Sequence, residues 1–339
     1  MPIDFVIPWV DGSDPEWAAA KARVAAAGGI PGAHNEKWIA GPQRWRDWDL
    51  LRYWFRGVER FAPWVRRIHF VTYGHLPAWL DASHPKLHVV NHRDFIPAAD
   101  LPTFSSRAID VNLHRIPGLA ERFVYFNDDM FLTAPTEERD FFRRGLPCDA
   151  AIISPIHLKK NGVRAEINAL YEINARFRKR EVLLGHPLKW FAPCYGTALV
   201  RTFLMLPFRL FTGFYVSHLP TSFLKSTFET AWREIPDVLA RASAHRFRDD
   251  SDVNQWLFEY WQFATGMFTP RNPRIGVMFE GRDEFAAACA SVRAGRRKIV
   301  CWNDGADIDP ADFERMRTEM RAAFEALLPG PSSYERDEA

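Results

Sequence analysis

The sequence predicts an α/β fold: a mainly parallel sheet with a largely helical insertion or second lobe. Three observations carry that expectation. Short apolar runs rich in Val, Ile and aromatic residues read as buried strands at 3–10, 68–73, 87–91, 123–126, 150–153, 275–279 and 298–302. Helical patterns separate them, and strands alternating with helices mark a parallel sheet. The stretch from about 161 to 266, by contrast, is mostly helical in pattern.

In chain order, the run at 3–10 opens the sheet. A helix is expected at 47–61, where Leu50, Leu51, Trp54, Phe55, Val58 and Phe61 recur at helical spacing. The runs at 68–73, 87–91, 123–126 and 150–153 continue the sheet, and those at 275–279 and 298–302 return to it beyond the helical stretch. A closing helix at 311–328 repeats Phe313, Met316, Met320, Phe324 and Leu327, with Asp309 placed to cap it and Pro310 at its first position. The last nine residues, PSSYERDEA, form a polar tail expected to fray. The chain thus divides into an α/β core at about 1–160 and 267–330, a helical lobe at about 161–266, and a tail at 331–339. No internal repeat or low-complexity linker interrupts it.

Composition narrows the function. A chain of 339 residues buries about three quarters of its unfolded surface and needs neither disulfides nor metal to fold. Its 44 Lys and Arg against 42 Asp and Glu give a formal charge of +2, which argues against a nucleic-acid partner. Cys148, Cys194, Cys289 and Cys301 show no CxxC pair and no His at ligand spacing, so they read as buried free thiols. The opening residues lack a basic segment followed by an apolar one, so no signal peptide is expected and the placement reads as cytoplasmic. The most apolar long stretch, 203–216, is broken by Pro207 and Arg209 and is too short to cross a bilayer. It leaves room for peripheral contact with the inner face of the membrane. Aromatics are abundant, with 13 Trp and 27 Phe, and most are expected in the core. Trp9, Trp45, Trp48 and Trp302 stand beside the motifs below.

In open α/β sheets, ligands bind beyond the carboxyl ends of the strands. The run at 3–10 is followed by Asp11-Gly12-Ser13-Asp14, the run at 123–126 by Asn127-Asp128-Asp129, and the run at 298–302 by Asn303-Asp304-Gly305. Each alone is a good turn sequence. Three on one sheet edge point to converging carboxylates, whose hard oxygens suit Mg²⁺ or Mn²⁺. Arg44, Arg46, Arg52 and Arg56 cluster around the start of the helix at 47–61 and could meet phosphate. There is no GxxxxGK[ST] loop and no GxGxxG or GxSxG motif, which argues against a P-loop NTPase, a Rossmann dehydrogenase and an acyl hydrolase.

Four blocks follow one another along the chain. The first runs from Ile3-Asp4-Phe5-Val6 to Trp9-Val10-Asp11-Gly12-Ser13-Asp14-Pro15. The second runs from Arg44-Trp45-Arg46-Asp47 through Phe104-Ser105-Ser106 and Asn112-Leu113-His114 to Asn127-Asp128-Asp129. The third is His218-Leu219-Pro220 with Arg248, and the fourth is Cys301-Trp302-Asn303-Asp304. In this order they resemble the Stealth proteins: bacterial capsular polysaccharide hexose-1-phosphate transferases and the animal N-acetylglucosamine-1-phosphotransferase. The chain departs from the family at Pro8, Trp48, Trp54 and Asp110, where Thr, smaller or polar residues, and Glu are more usual. Trp48 is therefore expected to bear on substrate choice.

The resemblance implies a single catalytic domain over 1–330, with a Rossmann-like core of the nucleotide-sugar transferase type. It implies transfer of hexose 1-phosphate or N-acetylhexosamine 1-phosphate from a UDP-sugar to a hydroxyl of a polysaccharide or lipid-linked saccharide. The products are a phosphodiester and UMP, in capsular or exopolysaccharide biosynthesis. It places the nucleotide on Trp9, Val10, Asp11, Gly12 and Ser13, with Arg44, Arg52, Asn127 and Asn303 as further donor contacts. Mg²⁺ or Mn²⁺ falls to Asp128, Asp129 and Asp304, with Asp129 or Asp304 also a candidate base. Arg248 would grip the transferred phosphate, and His218 would donate to it or to the leaving UMP. His114 reads equally well as a packed core residue, and Ser105-Ser106 as a helix cap. Two other functions share these residues: a metal-dependent glycosyltransferase releasing UDP, and a non-catalytic carbohydrate-binding protein.

Overall fold

A computed structural model describes residues 2–28, 46–158, 163–305 and 307–336. Arg44 and Trp45 lie outside the described residues. Strand β1 (Ile3–Pro8) is buried along nearly its whole length and runs through the middle of a five-stranded sheet. β2 (Arg67–Thr72) and β4 (Arg122–Tyr125) flank it in parallel, and β3 (Leu87–Asn91) extends the parallel side. β8 (Thr221–Leu224) closes the other edge antiparallel to β4. The order is β3-β2-β1-β4-β8. The α/β fold with a mainly parallel sheet is thus as the sequence predicts. The helical middle of the chain contributes one strand of its own to that sheet.

Two smaller sheets adjoin it. β5 (Met130–Leu132) pairs antiparallel with β11 (Ile299–Asn303), which pairs in parallel with β10 (Gly276–Glu280). β6 (Phe142–Arg143), β7 (Leu146–Asp149) and β9 (Thr269–Pro270) form the other. The turns after β1, β4 and β11 therefore do not share one sheet edge, because β11 belongs to a separate sheet. The apolar run at 150–153 is also no strand. Apart from a bridge between Ile153 and Phe214, its N–H groups find partners off the sheet: Ala151 N–H donates to the Tyr195 hydroxyl, Ile152 N–H to the Ala150 carbonyl and Ile153 N–H to Thr202 Oγ1.

Helix α1 (Pro15–Gly28) follows the first strand, and Asp14 caps it by accepting from Trp17 N–H. Helix α2 (Leu51–Phe61) buries Leu51, Trp54, Phe55, Val58 and Phe61, as their spacing requires. A Cβ at Gly57 would stand 2.8 Å from the Leu132 carbonyl oxygen, so glycine lets α2 lie directly on β5. Helix α3 (Ser106–Asn112) precedes β4. Helices α4 (Val163–Arg176), α5 (Lys179–Gly185), α6 (Leu199–Met205), α7 (Lys225–Glu234), α8 (Pro236–Ala244) and α9 (Gln255–Thr265) fill the middle of the chain, and α9 is buried over ten of its residues. Helices α10 (Gly281–Ala294) and α11 (Pro310–Leu327) pack together beside β10 and β11. Asp309 caps α11 by accepting from Asp312 N–H, with Pro310 at its first position.

The polar tail does not fray over 331–336. Tyr334 is buried beside Phe55, and the Arg56 guanidinium grips the Glu335 carboxylate at 2.7 and 2.8 Å. Cys148, Cys289 and Cys301 are buried free thiols, whereas Cys194 is exposed in a short helical turn.

Candidate active site

β4 ends at Tyr125 and β5 begins at Met130, so Asn127, Asp128 and Asp129 form the bend that carries the chain from one sheet to the next. Trp302 N–H donates to the Asp129 carbonyl oxygen at 2.9 Å and pins this bend to β11. The Asp129 side chain then meets two partners from distant parts of the chain. His218 Nε2 stands 3.4 Å from Asp129 Oδ2, and Cys301 on β11 completes a group whose ligand atoms lie within 4.8 Å of one another. His218 holds a left-handed backbone, φ 45°, a conformation that costs a non-glycine residue roughly 1 kcal/mol or more. Its side chain faces a cavity lined by Tyr125, Met130, Gln255, Trp256 and Glu259.

Electrostatics in the bend favour a positive ligand. Burial and then the adjacent Asp129 charge raise the Asp128 carboxyl above its ordinary value, and Asp47 adds to the repulsion. The Asp128 side chain is exposed on one flank, so the repulsion between neighbouring carboxylates is the part that matters there. Asp129 Oδ1 is buried and accepts no hydrogen bond among the described residues. Burial and the same acids hold the Cys301 thiol well above its usual value, in its protonated form.

Arg248 approaches from the loop before α9. Its Nη2 donates to Ser106 Oγ at 2.7 Å, at the first position of α3. One turn on, buried Asp110 accepts from the Tyr125 hydroxyl at 2.8 Å. Burial pushes Asp110 up to about 7, against the Tyr125 bond and the charges of Arg248 and Arg107. Tyr125 also lines the cavity at His218, so an Arg248–Asp110–Tyr125 series leads to the Asp129–His218 pair.

The remaining residues predicted from the sequence are placed differently. In the turn after β1, Trp9 stacks on Phe70 at 5.6 Å and the Asp11 carboxylate accepts from Ser13 N–H and Oγ. Trp9 N–H donates to the Val71 carbonyl and Asp11 N–H to His75 Nε2, so with Ser13 three amides of this turn are used within the protein; Val10 and Gly12 are half-buried. Asn303 ends β11 opposite Glu280. Asp304 is clamped by Arg46 at 2.7 and 3.0 Å, and neither it nor Asp128 is part of the Asp129, His218 and Cys301 group. Arg52 lies over Trp79 and 4.0 Å from Glu335, facing the tail. His114 is buried between Phe228 and Trp232, and burial lowers it to about 3. Trp48 is buried against Trp302 and Phe313.

Cys301, Tyr125 and Asp47 were not singled out for the site by sequence reasoning. Cys301 and Asn303 share one face of β11 by strict alternation, and that was the available signal.

Family models for three Stealth regions match the chain: conserved region 1 at 1–29, conserved region 2 at 44–148 and conserved region 4 at 290–339. A receptor polysaccharide phosphotransferase, WefC, of Streptococcus oralis is 40% identical over 336 residues, covering 98% of this chain and 99% of that protein. The chain belongs to the Stealth family. Other relatives bear similar names: a capsular polysaccharide phosphotransferase, WcwK, of Streptococcus pneumoniae is 40% identical over 98% of this chain and 99% of its own. An exopolysaccharide phosphotransferase, cps2G, of Lactiplantibacillus plantarum is 36% identical over 98% and 96%. The Stealth regions matched here hold the turn after β1, the Asn127–Asp129 bend and Cys301 to Asp304, while His218 and Arg248 fall between regions 2 and 4. Among solved structures, the galactosyltransferase LgtC in complex with donor and acceptor sugar analogues aligns at 12% identity over 97% of this chain and 98% of that one, with a TM-score of 0.39. At that score the backbones diverge too far to transfer any residue.

Proposed function

We propose that this Stealth protein transfers a sugar 1-phosphate from a UDP-sugar to a hydroxyl of a polysaccharide or lipid-linked saccharide, in capsular or exopolysaccharide biosynthesis. The acceptor oxygen bonds to the β-phosphorus as the bond from that phosphorus to UMP breaks. The products are a sugar phosphodiester and UMP. The observation that carries this reading is the Asp129–His218 pair at the cavity, with an unpartnered buried carboxylate oxygen beside it.

The Asp129–His218 pair is suited to take up the acceptor proton, since a His held by a carboxylate is a competent base. Arg248 offers a planar fork to the transferred phosphate, held in place by Ser106. Asp304 is less suited to be the base, because Arg46 neutralises it. The residues fit a divalent cation: Asp129 and Asp128 would hold Mg²⁺ or Mn²⁺, with substrate phosphates completing the shell. When bound, the ion would neutralise charge on the diphosphate. The Trp9 to Ser13 turn is the nucleotide contact in this reading. The enzyme would act in the cytoplasm, peripherally at the inner face of the membrane.

The test is a panel of UDP-sugars with Mg²⁺ and an oligosaccharide acceptor, scored for nucleotide product. UMP release is expected. UDP release would replace this reading with glycosyl transfer, and neither product with any donor would leave a binding protein.

A further inference from the structure

The apolar stretch foreseen at 203–216 divides in two. Phe211 and Phe214 are buried, but the residues before them point outward. Val200 is 57% exposed, Phe203 52%, Leu204 64%, Phe208 54% and Leu210 58%, and Leu188 is exposed too. Isolated exposed apolar residues are ordinary, whereas a run of this kind on one helix and the turn after it marks a contact surface. The surface is held firmly. Lys179 Nζ donates to the carbonyls of Met205 and Phe208, Phe191 stacks on Phe203 at 5.5 Å, and Asn174 bonds both N–H and C=O of Phe211.

Charge selects the occupant. Residues 176–213 hold seven Lys and Arg and one acid, Glu181, so 7 − 1 gives +6, while the whole chain carries +2. Arg178, Arg180, Arg201 and Arg209 are exposed around the apolar residues. Two copies of such a face would repel one another across a two-fold interface. A bilayer surface rich in anionic headgroups complements both features, since aromatic and aliphatic side chains enter the headgroup boundary and Arg side chains pair with lipid phosphate. Among the described residues no helix is long and apolar enough to cross a membrane, so the contact is with its surface.

We infer that α6 and the 206–210 turn form a docking surface for an anionic membrane. Only seven residues lie between Leu210 and His218, so docking sets the cavity close to the bilayer, where a lipid-linked acceptor is found. The inference deepens the membrane placement proposed above, and lipid binding is read without turnover, so it can fail independently of the reaction.

The experiment is flotation of the full chain with vesicles of phosphatidylcholine alone or mixed with phosphatidylglycerol. Binding to the mixed vesicles is expected. It should weaken with salt and fall at least about tenfold in F203S/F208S. R180Q/R209Q, which alters only exposed groups, should weaken it as well and guards against a folding defect in the first variant. UMP release with a water-soluble acceptor should be unchanged in both. Failure to bind phosphatidylglycerol vesicles, full binding by both variants, or a dimer in solution that F203S/F208S dissolves would overturn the docking surface. Loss of UMP release with vesicle binding intact would overturn the reaction alone.

Discussion

His218 Nε2 lies 3.4 Å from Asp129 Oδ2 on a backbone held at φ 45°, although the two stand 89 positions apart in the chain. Such strain persists where the surrounding structure over-determines it, and here Asp129 is fixed by β11 while β8 follows His218 within three residues. His218→Asn should keep the backbone, since Asn tolerates the left-handed region, and leave the melting temperature unchanged. It should lose roughly 10²–10³ or more in the rate of UMP release, as should Asp129→Asn. Activity near the parent in either variant would remove the pair from the chemistry.

Asp110 ties Arg248 to the cavity and sets a pH dependence. Folded, it keeps its proton to about 7 because burial disfavours the carboxylate, whereas the unfolded chain releases it near 3.8. Between those values the unfolded state sheds a proton that the folded state retains. The stability that Asp110 contributes is therefore complete below about pH 4 and is lost as pH rises through 7. Asp110→Asn mimics the protonated form and can keep the Tyr125 bond, so it should flatten that decline and gain a few kcal/mol, at about 1.4 kcal/mol per unit, at pH 8. Urea midpoints at pH 5 and pH 8 give the comparison. A variant with the parent's slope would mean that Asp110 titrates in the ordinary acidic range.

Trp48 tests core against substrate face. It is buried against Trp302 at 5.2 Å and Phe313 at 5.0 Å, each edge to face. Trp48→Ala should cost about 3–5 kcal/mol of stability. Trp48→Phe should fold and keep the parent's preference among UDP-sugars, measured as the ratio of UMP release rates. A changed ratio in Trp48→Phe would return this residue to substrate selection.

What could be read in the sequence follows from the range of the forces involved. Alternation, capping and helical periodicity are local, so α2, α11 with its Asp309 cap, and the parallel strands were legible. The pairing of β11 with β5 is not local, and no pattern within either strand announces it. For that reason the sequence sets Asp304 with Asp129 and gives Cys301, two residues before Asn303, no place beside them. The Arg residues show the same range of forces: in the sequence Arg46, Arg52 and Arg56 offer themselves to phosphate, and only the fold sets Arg46 beside Asp304 and Arg52 and Arg56 beside Glu335. His114, even between two readings, falls between two aromatic rings on α7, an environment fixed by tertiary packing.

The tail gives a stability prediction. Arg56 and Glu335 are both nearly buried, with Tyr334 packed on Phe55 beside them. Among the described residues, Glu335→Gln leaves the Arg56 charge with only the exposed Glu325 as an acidic partner, and loss of one member of a buried pair costs about 3 kcal/mol. The melting transition should shift down accordingly, and deletion of residues 331–339 should shift it further. A tail variant as stable as the parent would show that the ion pair only balances its own desolvation.

Cys301 decides what kind of ion the site prefers. Carboxylate, imidazole and thiol together form a donor set that a softer ion such as Zn²⁺ would accept, while Mg²⁺ and Mn²⁺ need oxygen. The buried, unpartnered Asp129 Oδ1 and the neighbouring Asp128 carboxylate favour the second arrangement, in which Asp129 and the phosphates do the binding and Cys301 packs behind them. Chelation should therefore abolish UMP release and Mg²⁺ or Mn²⁺ should restore it. Cys301→Ser should respond to Mg²⁺ with an affinity within about threefold of the parent. Restoration by Zn²⁺ alone, lost in Cys301→Ser, would assign the thiol as a ligand and make His218 a ligand as well, leaving the proton to another group.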